Sequence, residues 1–318
     1  MQRSVFRAFA ISAILLLSVF VGSDAHARCQ TTRPSTPYIE RVDRNLIYFG
    51  VVPIRFSAGR PTIEGSAMEN CSLPWHSVVE LLINGRVVAS SSSYDFRNTY
   101  NWNTATVPDG EYNIEVRSRD SNDFYDYSST SVRLRVNNTD VRPEVFDLGA
   151  YLYYNPVVAS AFPGDATRQV QHWLIYGVNE GRRASFYFHS KEYLESYTDL
   201  ANAFGVTNYA AGIRHYLIYG LNEKRAGVFA LRREILDPAW YLKQHPDLLK
   251  AYGAGNVDSA RLHFVLYGLK EGRASSPNFA VKNYLARYRD LRKAFGSDYA
   301  AAVRHYIIYG IKEKRSGK

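Results

Sequence analysis

The sequence predicts a multidomain protein, all-β and then all-α: a β-sandwich followed by an α-helical hairpin repeat domain. Three observations predict it. Short alternating runs separated by turn signals fill residues 28–138. Two sequence blocks recur four times over residues 146–318. Charge is unevenly divided between these halves, with every lysine in the second. A chain of 318 residues, 46% apolar and 22% charged, has room for two or three domains and is ordinary for globular protein. Collagen-like, globally disordered and many-pass membrane classes are therefore excluded.

Residues 1–27 read as a secretory signal. Arg3 and Arg7 precede an apolar run from Ala8 to Val21, and Ala25-His26-Ala27 is a small-x-small cleavage site. The run is short for a membrane span, which needs roughly 20 residues. A secreted, periplasmic or cell-surface location is expected, with cleavage after Ala27. The chain has 2 cysteines, Cys29 and Cys71, and both follow that site. An isolated pair in an oxidising compartment reads as one disulfide.

Within 28–138, Val78–Ile83 meets Asn84-Gly85, a strong hairpin signal, and Arg86-Val87-Val88 resumes the strand. Asp109-Gly110 marks a second turn, and Ser131–Val136 closes with strict alternation. Period-two alternation puts one face in a core, so several such strands point to two packed sheets. Trp102 is expected in that core. Asp109, Asp120, Asp123 and Asp126 are read as turn carboxylates, because no twelve-residue calcium loop accompanies them. Asn138 to Pro143 is polar, and residues 139–145 are read as a linker.

The second half, 146–318, carries the repeat. His172-Trp173, His215-Tyr216, His263-Phe264 and His305-Tyr306 each precede Tyr-Gly and then Glu-x-Arg. The histidines lie 43, 48 and 42 residues apart. Tyr151-Leu152, Tyr193-Leu194, Tyr241-Leu242 and Tyr284-Leu285 lie 21 or 22 residues upstream of them. Each unit is expected to form two helices, with Asp237 and Pro238 opening one and Gly253 ending it. Gly177, Gly220, Gly268 and Gly310 are expected in the left-handed conformation at helix ends. Because one hairpin cannot bury its apolar stripe, the copies are expected to share one core.

Residues 28–145 hold 13 basic and 14 acidic side chains, whereas 146–318 hold 24 and 15, a formal +9. Such a half suits either solubility or a polyanionic partner. Arg182, Arg225, Arg273 and Arg315 form the candidate ligand-binding stripe. Their other reading, given more weight, is a charge pair at a helix end, where a cation suits the dipole. His172, His215, His263 and His305 are read as packing and hydrogen-bonding elements. No His-x-x-x-His or Cys-x-x-Cys cluster accompanies them, so neither metal nor cofactor is expected.

Two resemblances add to this reading. Val79–Gly85, Trp102-Asn103-Thr104, Val107–Tyr112 and Val136-Asn137 resemble a bacterial immunoglobulin-like domain over about residues 50–138. That resemblance implies a spacer or an adhesive, glycan-associated module without catalytic machinery. Leu236–Leu242 with His245-Pro246-Asp247-Leu248 resembles a repeat of secreted and surface-associated bacterial proteins, and the likeness covers about 146–318. It implies an export or envelope context and no particular reaction. The Gly-Gly-x-Gly-x-Asp calcium repeats and the glycosyltransferase domains that can accompany it are missing from this sequence.

No nucleophile elbow, metalloprotease helix, phosphate loop or dinucleotide fingerprint is present. The favoured expectation is therefore a non-catalytic binding or adhesion protein of the envelope. Its expected partner is a surface polymer such as an acidic polysaccharide, or an envelope protein. A glycan-acting enzyme or enzyme accessory is the alternative, distinguished by a deep polar pocket with convergent carboxylates. A structural spacer is the third reading. Nucleic acid is disfavoured by export and by the even spacing of charge.

Overall fold

A computed structural model describes residues 31–33, 37–40, 42–57, 62–63, 77–91, 98–120 and 127–318. Residues 1–27, read above as a secretory signal, and Cys29 and Cys71 lie outside the described residues. Sheets occupy the N-terminal part and helices the C-terminal part.

The strands are β1 (Thr31–Arg33), β2 (Tyr38–Glu40), β3 (Ile47–Tyr48), β4 (Val51–Ser57), β5 (Thr62–Ile63), β6 (Ser77–Ile83), β7 (Arg86–Ser91), β8 (Asn98–Asn103), β9 (Gly110–Asp120) and β10 (Tyr127–Val136). They form a five-stranded sheet β3-β10-β9-β6-β7, a three-stranded sheet β2-β4-β8 and a pair β1-β5. The β3–β10 pairing is parallel. Asn84 and Gly85 join β6 to β7 with φ of 48° and 79°, the double positive φ that a tight hairpin of this twist requires. Pro53 sits in β4 beyond the end of β2, whose register reaches only to Arg55, so the β2-facing side of this central strand is unpaired there and tolerates a residue that cannot donate.

Alternation sets the core. Val52, Ile54 and Phe56 of β4 and Trp102 of β8 are buried in one cluster with Val79, Leu81, Ile114, Val116, Leu134 and Val136 of the five-stranded sheet. Trp102 meets Tyr112 edge-on at 5.1 Å. Asp109 accepts hydrogen bonds from the Asn138 and Thr139 amides.

The helical part differs from the expected hairpins, because each copy has three α-helices of six or seven residues, and copy three adds a three-residue helical turn, Leu269–Glu271. Copy one has α1 (Leu148–Tyr154), α2 (Pro156–Ala161) and α3 (Ala166–His172); copy two has α4 (Ser190–Ser196), α5 (Thr198–Phe204) and α6 (Tyr209–His215). Copy three has α7 (Pro238–Gln244), α8 (Pro246–Tyr252) and α9 (Val257–His263). Copy four has α10 (Val281–Arg287), α11 (Arg289–Phe295) and α12 (Tyr299–His305). The expected first helix is thus cut in two. The break falls at Asn155, Tyr197, His245 and Tyr288, each at non-helical φ and ψ. Pro156 and Pro246 explain two breaks, since a proline pushes the residue before it out of the α region.

Each third helix passes into a five-residue π-helical turn ending at the repeat glycine: Gly177, Gly220, Gly268 or Gly310. These glycines are not left-handed, which corrects the expectation. The left-handed residues come four positions later, at Gly181, Lys224, Gly272 and Lys314. There the backbone closes with two bonds, as in Arg273 N–H to Gly268 C=O and Gly272 N–H to Leu269 C=O. This double closure satisfies carbonyls that the helix end would otherwise orphan.

The copies do not share one core. One cluster joins copies one and two through Tyr151, Trp173, Phe188, Tyr193, Leu194 and Ile213. A second joins copies three and four through Tyr241, Phe264, Phe279, Tyr284, Val303 and Ile307. The segment read as a linker is docked on the helices. Val145 is buried in the first cluster, and the Trp173 indole donates to the Asp140 carbonyl at 2.7 Å.

Candidate functional site

The first Tyr of each copy is buried and its hydroxyl shares a hydrogen bond with the repeat histidine. Tyr151–His172, Tyr193–His215, Tyr241–His263 and Tyr284–His305 are 2.7, 2.9, 3.1 and 2.9 Å apart at Nδ1. Burial pushes the Tyr151 hydroxyl up to about 12 and raises Tyr193, Tyr241 and Tyr284 as well. The phenols therefore stay protonated. Burial likewise lowers His172, His263 and His305.

On the outer side of each histidine lies a second tyrosine. Tyr176, Tyr219, Tyr267 and Tyr309 are 55, 55, 55 and 51% exposed, in contrast to the buried tyrosines beneath. Their rings lie 5.5, 5.3, 5.6 and 5.5 Å from the imidazoles. The helix period explains this placement, since residues four apart share a face. Every copy thus presents a ring at the same place.

The arginines of the candidate stripe are engaged within the fold. Arg182, Arg225, Arg273 and Arg315 pair with Glu180, Glu223, Glu271 and Glu313. Arg225, Arg273 and Arg315 also reach Asp199, Asp247 and Asp290 at 2.8, 2.8 and 2.9 Å, tying the helix end to the start of the second helix. Arg182 reaches Asn155 instead. The 10 lysines behave differently. All are exposed, and among the described residues none pairs with a carboxylate.

A cavity of about 310 Å³ lies where copies two, three and four meet, lined by Arg183, His189, Lys191, Glu192, Glu195 and Arg304 over apolar walls that include Phe229, Val265 and Val303. A second, of about 390 Å³, shares Arg183, Val265, Leu269, Asp298 and Ala300 with it and adds Tyr153, Tyr154, Lys270 and Tyr299. Together they form one trough. Glu192 meets His189 at 3.1 Å and Arg183 at 3.5 Å, and accepts from the Phe229 amide at 2.8 Å. Burial opposes its ionisation, yet these partners hold its carboxyl below the usual range. Glu195 pairs with Arg304 at 2.9 Å, joining copies two and four.

Sequence reasoning missed this trough. Its signal was present, because residues that one copy has and the others lack stand out once the copies are aligned. With the buried tyrosines superposed, Glu192 faces Ala150, Trp240 and Asn283, and Glu195 faces Tyr153, Lys243 and Ala286. Among the described residues no group of three or more metal-ligating side chains occurs, and no helix is long and apolar enough to cross a membrane.

No family model and no curated protein matches the chain. Among solved structures it is similar to the fibronectin(III)-like modules of Clostridium thermocellum CbhA, at 18% identity over 33% of this chain and 46% of that one, with a TM-score of 0.23. The endo-beta-1,4-mannanase from Thermotoga petrophila matches at 12% over 34% and 20%, with a TM-score of 0.24. Domains d3-d4 of the rat CD45 extracellular region match at 9% over 42% and 83%, with a TM-score of 0.19. The chain spans less than half the length of the first two. At these scores the likenesses carry no argument about function.

Proposed function

We propose that this chain is an exported, envelope-associated, non-catalytic binding protein that recognises an acidic polysaccharide through its helical repeats. In this reading the two larger sheets pack as an immunoglobulin-like β-sandwich, which the hydrophobic cluster common to both supports. A Cys29–Cys71 disulfide belongs to the same reading.

One observation carries it: an exposed tyrosine recurs at the same place in every copy, beside a histidine. A repeated ring platform suits a repeated ligand unit, and sugar rings stack on such faces. The exposed lysines supply salt-sensitive attraction, while the arginines named from sequence tie each copy's last turn to the start of its own second helix. The alternative, a glycan-acting enzyme, draws on Glu192 and Glu195 lining one cavity. A general acid for that chemistry needs a raised carboxyl pKa, and Glu192 is shifted the other way.

The test is an array of bacterial glycans probed with the mature chain at low and moderate salt, beside a variant with Tyr176, Tyr219, Tyr267 and Tyr309 all changed to Ala. Binding that partly resists salt and is lost in the variant is expected. Binding that disappears with salt, or that the variant retains, would replace this reading with a protein partner or a spacer.

A further inference from the structure

Copies of a repeat report on one another. What all four keep serves the repeat, so polar residues unique to one copy and gathered at one cavity need another reason. Aligned at the copy ends, Arg183 stands against Ala226, Ala274 and Ser316; His189 stands against Asp147, Asp237 and Ala280. Both line the trough with Glu192 and Glu195. Inside it, Arg183 is paired with Glu192 and Arg304 with Glu195, so these four charges cancel and fix the wall.

The charges left over are informative. Lys191 and Lys270 line the trough, are exposed and lack a carboxylate partner among the described residues. Lys270 Nζ lies 3.1 Å from Tyr153 Oη, where it donates to the hydroxyl. Its remaining ammonium hydrogens and the rotatable phenol hydrogen stay free to donate, so the pair offers two adjacent donors to an anion. Tyr153, at 48% exposure, and the half-buried Tyr299 supply ring faces. Asp298 caps Ala301 through Oδ1, leaving Oδ2 to accept from hydroxyls. Pockets for small molecules run to roughly 300–1,000 Å³, and the trough falls in that range.

We propose that this trough binds a short acidic oligosaccharide unit, a sugar that carries a carboxylate. Lys270 with Tyr153 receives the carboxylate, Lys191 a second acid group, Tyr299 a ring face and Asp298 the hydroxyls. The proposal rests on the glycan-binding reading above and assigns it a site that the recurring outer tyrosines do not include.

The experiment is calorimetric titration of the mature chain with digalacturonate and with its neutral counterpart, galactobiose, at constant ionic strength. Polygalacturonate is titrated in parallel. Lys270→Gln should weaken digalacturonate binding about tenfold, equivalent to about 1.4 kcal/mol. Tyr153→Phe, which keeps the ring and removes the donor, should weaken it several-fold. Arg233→Gln removes an equal charge from a side chain 94% exposed and outside the trough, and should leave the affinity within twofold. Galactobiose should not bind. Equal losses for Lys270→Gln and Arg233→Gln, or equal binding of the two disaccharides, would overturn the site. If polygalacturonate binds and depends on the outer tyrosines while digalacturonate does not bind, the trough assignment fails and the glycan-binding reading stands. If neither ligand binds, both fail for this acid class.

Discussion

A Cβ added to Gly268 would run into Tyr241 Oη and sit 3.0 Å from Phe264 Cδ2. The same clash recurs at Gly310, where it would lie 2.7 Å from Tyr284 Oη. The glycine is therefore kept for close approach, because the buried tyrosine's hydroxyl must pass over the helix to meet its histidine. Gly268→Ala should cost about 1–3 kcal/mol, the usual range for overpacking a core. Gly255→Ala, with nothing within 4 Å, should be near neutral. Urea unfolding of the two variants beside the parent checks this, and equal midpoints would refute the close-approach account. The repeating Tyr-Gly pair made these positions legible in the sequence. The reason was not legible, because the obstructing atom belongs to a side chain 26 or 27 residues earlier in the copy. Local rules know glycine for positive φ and are blind to contacts of that range.

At the scale of the element, capping was the readable part. Asp237 accepts from the Trp240 amide at 3.0 Å and Pro238 opens the helix, as their sequence order predicts. The break in the expected first helix was half readable. Pro156 and Pro246 announce it, whereas Tyr197 and Tyr288 make it through tertiary contacts. Arg225 and Arg232 lie 4.8 and 4.6 Å over the Tyr197 ring, and Arg315 lies 4.9 Å over Tyr288. The third helices carry a pH dependence. Burial lowers His172, His263 and His305, so the fold prefers the neutral imidazole. Each therefore contributes stability that is present above its unfolded pKa of about 6.5 and is lost as pH falls through the lower folded value. Urea midpoints should be lower at about pH 5.5 than at about pH 7.5, and the difference should shrink when the three are changed to Gln. A midpoint that rises on acidification would contradict the assignment.

The whole molecule departs most from what a repeat sequence suggests. Stacked repeats ordinarily touch only their neighbours. Here copy one meets copy three through Tyr153 and Lys270, and copy two meets copy four through Glu195 and Arg304. Two two-copy cores are thereby folded against each other, with the trough between them. Periodicity cannot foretell this closure, because it is made by residues the copies do not share. The junction between sheets and helices is equally specific. Gln171 precedes the repeat histidine and is itself not repeated, since Arg214, Leu262 and Arg304 stand in its place. Its amide accepts from the Ile47 N–H at 2.9 Å and donates to the Ile47 carbonyl at 2.7 Å, both buried. One side chain thus satisfies both backbone groups of a strand residue, and Trp173 fastens the next turn to Asp140. Gln171→Ala would leave two buried backbone groups unpaired, at about 1–3 kcal/mol each. Because the loss falls at the junction, it should separate the halves in stability more than it weakens either one. Thermal unfolding of the parent should give one coincident transition by near-ultraviolet and far-ultraviolet dichroism. The variant should give two, the earlier one marking release of the sheets from the first copy. A single transition shifted uniformly downward would mean that the halves are coupled by the buried apolar contacts of Ile47 and Val145 rather than by this amide.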